Sequence, residues 1–121
     1  MQQKLNDLEV YKEAIRLSKH IWTIYIRLSA DLKFSIGKQV LQAIDSIGAN
    51  IAEGFGRYHY KDKIRFFYNA RGSLWESKHW VLLLYQRELI SAREYDFFVK
   101  RLEKLGKQLN TFIAKTGNSN V

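Results

Sequence analysis

Ser46-Ile47-Gly48-Ala49-Asn50-Ile51-Ala52-Glu53-Gly54-Phe55-Gly56-Arg57 sets polar groups into a run that is otherwise small and apolar. Val40, Ile44, Ile47, Ile51 and Phe55 recur at three- and four-residue spacing, the period of a helix with one buried stripe. Ala43, Asn50 and Gly54 form a second stripe of small residues beside it. Gly48 inside this helix costs about 1 kcal/mol relative to alanine. The spacing predicts a helix over 36–55, capped by Ser35 and stopped by the Gly54/Gly56 pair.

A second stretch, Ala70-Arg71-Gly72-Ser73-Leu74-Trp75-Glu76, repeats the theme. Small residues let two helix backbones approach, and polar groups trapped there must find partners. A hairpin register centred near Tyr58 sets Arg71 level with Asp45 and Ser46, and Asn50 near Phe67. Asp45, Ser46, Asn50, Glu53, Arg71, Ser73 and Glu76 are therefore expected to form a structural hydrogen-bond network that fixes helix register. Ser46 and Ser73 have no histidine beside them in this register, so no nucleophile–base pair arises.

Three further helices follow. The first spans about 8–32, capped by Asn6 or Asp7, and its apolar residues cover an arc of roughly 200°, twice what one core face needs. The third spans about 60–89 and shows two apolar sides. The fourth, about 92–115, opens with Ser91-Ala92-Arg93-Glu94, a capping-box pattern, and has a narrower apolar arc. Residues 116–121 read as a frayed tail. Connections near 33–35, 55–60 and 89–91 are short, and short links make antiparallel neighbours. The fold class is all-α: one domain over 1–121, an antiparallel up-down-up-down four-helix bundle. The apolar excess on the first helix predicts a homo-oligomer.

Composition agrees with this reading. The 121 residues are 46% hydrophobic and 26% charged, with no proline and no cysteine. Proline breaks helices, so its absence suits them, and without cysteine there is no thiolate chemistry. The polar start and the lack of a long apolar run predict a cytoplasmic protein with no membrane span. The net charge of +8 raises the odds of an anionic partner such as nucleic acid.

The pattern Ser-Ile-x-x-Asn-Ile-Ala-Glu-Gly-x-x-Arg at 46–57 resembles the signature of the 23S ribosomal RNA intervening-sequence proteins, also called four-helix-bundle proteins. The likeness includes Asp7-Leu8-x-Val10 with Ala14, then Gln39 and Ala43, then Ala70-Arg71-Gly72-Ser73 with Glu76, and it covers the chain to Lys115. Gln42 stands where the family usually has arginine, and Gly48 where it commonly has proline. The resemblance implies a bundle often assembled as a cyclic homopentamer. Some members are encoded inside intervening sequences of bacterial 23S rRNA genes, which suggested an rRNA-binding role. A related accessory protein of diversity-generating retroelements binds reverse transcriptase and nucleic acid.

Two sets of residues are candidates for nucleic-acid binding. Arg57, Tyr58, Tyr60, Lys61, Lys63 and Arg65 make a basic–aromatic turn with four cations against Asp62. The cations can neutralise phosphates and the tyrosines can stack on unpaired bases. Lys100, Arg101, Lys104, Lys107 and Lys115 form a basic stripe on the fourth helix. Neither contains a sequence-reading motif, so binding is expected to discriminate little between sequences. Glu76-x-x-His79 matches half of a carboxylate di-iron site, but the other half is missing. No metal, cofactor or catalytic constellation is expected, and the chain reads as a non-enzyme. The alternative is a scaffold that binds another protein, such as a reverse-transcriptase partner.

Overall fold

The computed structural model describes residues 4–118, with the side chain of Asn118 excepted. Four long helices carry the fold: α1 (Glu9–Tyr25), α2 (Lys38–Phe55), α3 (Tyr60–Gln86) and α4 (Ala92–Asn118). No strand occurs among the described residues. α1 packs on α2, α2 on α3, α3 on α4, and α4 closes back on α1. The result is a four-helix bundle whose core takes one stripe from each helix: Leu17 and Ile21, Ile44 and Ile47, Phe67 and Leu74, Leu102 and Leu105. Ser77 is buried in this core, and its hydroxyl is satisfied by donating to the Ser73 carbonyl at 2.8 Å.

The helix limits depart from the sequence expectation in five places. The first helix stops at Tyr25 rather than at Leu32, and Ser29 caps a one-turn helix, Ala30–Leu32, by accepting from the Leu32 N–H. Ser35, expected as a cap, lies inside a π-helical turn, Lys33–Gly37, and its hydroxyl donates to the Asp31 carbonyl at 3.0 Å. Gly37 makes this turn possible: a Cβ there would lie 2.8 Å from the Leu32 carbonyl oxygen and 2.9 Å from Leu28 Cδ1.

At the start of α1 the cap is Leu8 rather than Asn6 or Asp7, because Leu8 turns inward and is buried. α3 ends at Gln86, three residues before Leu89, in a Schellman motif. There Glu88 takes φ 59°, and the Leu89 N–H reaches back to the Leu84 carbonyl at 2.9 Å. α4 runs past Lys115: Thr116 is helical, and its hydroxyl donates to the Phe112 carbonyl. The rest of the expected frayed tail, 119–121, lies outside the described residues.

The capping box of α4 forms. The Glu94 N–H donates to Ser91 Oγ at 3.1 Å, and the Ser91 N–H donates to Glu94 Oε1 at 2.9 Å. Glu94 also takes both Arg27 Nη groups at 2.7 Å, which ties the end of α1 to the start of α4. These hydrogen bonds, the Arg27 pair foremost, hold the Glu94 carboxyl down at about 2 and raise Arg27.

Candidate nucleic-acid interface

α2 ends with an α-helical bond, Gly56 N–H to the Ala52 carbonyl, followed by a tightened one, Arg57 N–H to the Gly54 carbonyl. α3 starts at Tyr60, so only four residues link the helices. The helices can come this close because Gly54 has no side chain: a Cβ would lie 2.5 Å from Phe67 Cε1 and 3.1 Å from the Lys63 carbonyl. The turn therefore projects from the end of the bundle, and Tyr58 is 90% exposed.

The six residues of the turn do different things. Tyr58, His59, Tyr60, Lys61 and Lys63 line one open cleft. Lys61 is exposed and has no carboxylate partner among the described residues. Lys63 donates to the Phe55 carbonyl at 2.9 Å, so it caps the end of α2. Arg57 pairs with Glu53 at 3.2 Å, and its guanidinium lies 4.7 Å from the Phe66 ring centroid. Arg65 lies 3.8 Å from Asp62 and also over Phe66. These exposed pairs are weak and leave the arginines available to phosphates.

The basic stripe of α4 divides as the helix turns. Lys104 and Lys107 are exposed without carboxylate partners among the described residues, and Lys100 is exposed and pairs with Asp96 at 3.0 Å. Lys115 is exposed near the end of the helix. Arg101 does not belong to the exposed row. One hundred degrees of helix per residue carries it to the α1 side, where its Nη1 donates to Glu13 Oε1 at 3.2 Å. Glu13 is only 2% exposed, and Arg16 donates to its other oxygen at 2.9 Å. By spacing alone Glu13 falls on the polar arc of its helix, beside Lys12 and Arg16. The signal for its burial is Arg16 one turn on, together with Arg101 on a helix expected to lie alongside.

The expected polar network does not assemble. Asn50 donates to the Ser46 carbonyl at 2.8 Å, Glu53 pairs with Arg57, and Glu76 accepts from the Trp80 indole at 3.1 Å. Each of these is a bond within one helix or its end. Ser73 contributes only its carbonyl, to Ser77, and Asp45 is exposed. Arg71 turns toward α4 rather than α2 and donates to Asn110 Oδ1 at 3.1 Å. The reason is angular: Phe67, Ala70 and Leu74 fill the core-facing stripe of α3, and Arg71 lies one step round from Ala70. Register is set instead by Gly54 against Lys63 and Phe67.

Among the described residues no group of three or more histidine, aspartate or glutamate side chains is placed to hold a metal. No described helix is long and apolar enough to cross a membrane.

The fold and these surfaces define a class of basic helical bundles, and comparison with known proteins gives the family. The chain belongs to the 23S rRNA-intervening sequence proteins, whose family model matches residues 6–111. It is similar to a crystal structure of a protein of unknown function from the S23 ribosomal protein family of Bacteroides thetaiotaomicron. That likeness has 27% identity and a TM-score of 0.81, and covers 87% of this chain and 95% of that one. No curated protein matches.

Proposed function

We propose that this protein is a non-catalytic, cytoplasmic, oligomeric bundle that binds RNA or DNA through its basic surfaces with little sequence preference. One observation carries the reading: Lys61, Lys104 and Lys107 are exposed cations without carboxylate partners among the described residues, in a chain of net charge +8. Such cations gain most from displacing the counterions of a phosphate backbone. The exposed Tyr58 beside Lys61 adds a stacking surface. Fluorescence anisotropy with labelled RNA and DNA across 50–300 mM salt tests it. The expected result is binding that weakens steeply with salt, and no binding to either at 50 mM overturns it.

The assembly reading rests on α1. Ile15 and Trp22 stay exposed on the flank beside α2, around an open groove that Leu41 also lines, and Ile26, just past the end of α1, is exposed as well. These are the apolar residues that one core could not take in. A second copy of the chain is the proposed occupant, and the family resemblance favours a ring of five. The scaffold reading is favoured by Phe34, which projects from the π-helical turn and is 84% exposed. A protein partner that co-purifies after nuclease treatment would support it.

A further inference from the structure

A different face of the bundle carries its own pattern. Tyr68, Trp75 and Leu82 occupy successive seventh positions on α3, so they line up along one flank of the helix, where Trp75 and Leu82 line clefts against α4. All three are exposed, Trp75 at 63%. Cations interleave with the rings: Arg71 lies 4.8 Å from the Tyr68 centroid, and Lys78 Nζ lies 4.2 Å from that of Trp75. The opposite wall of the groove is α4, with Glu103, Gly106, Lys107 and Asn110. Asn110 holds Arg71 in place.

Exposed rings with cations beside them suit a strand that offers both flat apolar faces and phosphates. Seven helical residues separate Tyr68 from Trp75 by about 10 Å, roughly the rise of three stacked nucleotides at 3.4 Å each. A duplex keeps its base faces covered, so only unpaired bases can use these rings. Glu103 is the one carboxylate that lines the groove, and it has no hydrogen-bond or ion-pair partner among the described residues. A carboxylate repels phosphate, but it accepts a hydrogen bond from a ribose 2′-hydroxyl, a donor that DNA lacks. Arg71, Lys78 and Lys107 complement a polyanion and oppose a second copy of this basic face.

We propose that the α3/α4 groove binds single-stranded RNA. Unpaired bases stack on Tyr68 and Trp75, phosphates meet Lys78 and Lys107, and Glu103 accepts from a 2′-hydroxyl. This rests on the nucleic-acid reading above and narrows it to one face and one strand type.

The test uses the full chain in its native assembly with three fluorescein-labelled probes: a 20-nucleotide oligo-U, the matching oligo-dT, and a 20-base-pair RNA duplex. Trp75→Ala should weaken oligo-U binding about tenfold, as loss of one stacked base predicts, and leave duplex binding within about twofold. Trp75→Phe should restore most of the affinity. Glu103→Ala, which removes the acceptor, should narrow the preference for oligo-U over oligo-dT. Wild-type binding that Trp75→Ala leaves intact overturns the groove while sparing the broader reading. No binding of any probe by wild type overturns both. Equal wild-type affinity for oligo-U and oligo-dT overturns the assignment to RNA. A change in assembled mass on Trp75→Ala, read by light scattering, makes the stripe a subunit interface and also overturns the proposal.

Discussion

Arg101 of α4 reaches across the seam to Glu13 of α1, and the carboxylate it meets is almost wholly buried. Arg16 holds the second oxygen, so each guanidinium serves one side of the same charge. Removing Arg101 leaves a buried carboxylate with half its partners. Arg101→Ala should therefore destabilise the protein by about 2 kcal/mol in urea unfolding, less than the full loss of a buried pair because Arg16 remains. Its effect on RNA affinity should stay within about twofold. Lys104→Ala should show the reverse pattern, with stability unchanged and affinity reduced.

Two glycines should respond in opposite directions. Gly54→Ala drives a methyl into Phe67 and against the Lys63 carbonyl, and backbone cannot step aside as a flexible side chain can. It should cost about 2 kcal/mol or more. At Gly72 a Cβ meets nothing within 4 Å, and the residue is helical. Gly72→Ala should raise stability by up to about 1 kcal/mol through helix propensity alone. Thermal unfolding by circular dichroism checks both.

The Arg27–Glu94 pair makes stability depend on pH. Glu94 titrates at about 2 in the folded protein against an ordinary value of 4.5. Its contribution is complete above 4.5 and is lost as pH falls through 4.5 toward 2, where the unfolded chain binds the extra proton. The pair is partly exposed, so the contribution is modest, about 1 kcal/mol. Glu94→Gln keeps an acceptor for the Ser91 N–H but loses the charge. Unfolding midpoints of wild type and variant should differ at pH 7 and converge as the pH approaches 2.

Trp22 sits between Ile15 on α1 and Ile26 just past its end, all three exposed. Trp22→Glu should reduce the assembled mass measured by light scattering at micromolar concentration while leaving helix content intact. An unchanged mass would move the subunit contact elsewhere.

Sequence pattern located the helices because each has a stripe at helical spacing, and it located the α4 cap because Ser91 and Glu94 act over three residues. It missed the break after Tyr25. Ile26, Leu28 and Leu32 continue the apolar period, and no proline or glycine interrupts it before Gly37. It also ran α3 on to Leu89, because nothing local marks Glu88 as left-handed. The polar network failed for a related reason. Spacing shows which residues share a face of one helix, but the choice of neighbour for Arg71 depends on rotation about the helix axis, which core packing sets. The ladder on α3 was present as Tyr68 and Trp75 seven apart, hidden because an aromatic at helical spacing reads first as core.

Each helix packs chiefly on the helices before and after it in the chain, through short turns, with one closing contact between α4 and α1. Little loop entropy has to be lost before contacts form, so the monomer should collapse and order within microseconds to milliseconds. There is no proline to isomerise. A slow refolding phase that grows faster with protein concentration would therefore report subunits meeting, and the kinetics of folding become a clock for assembly.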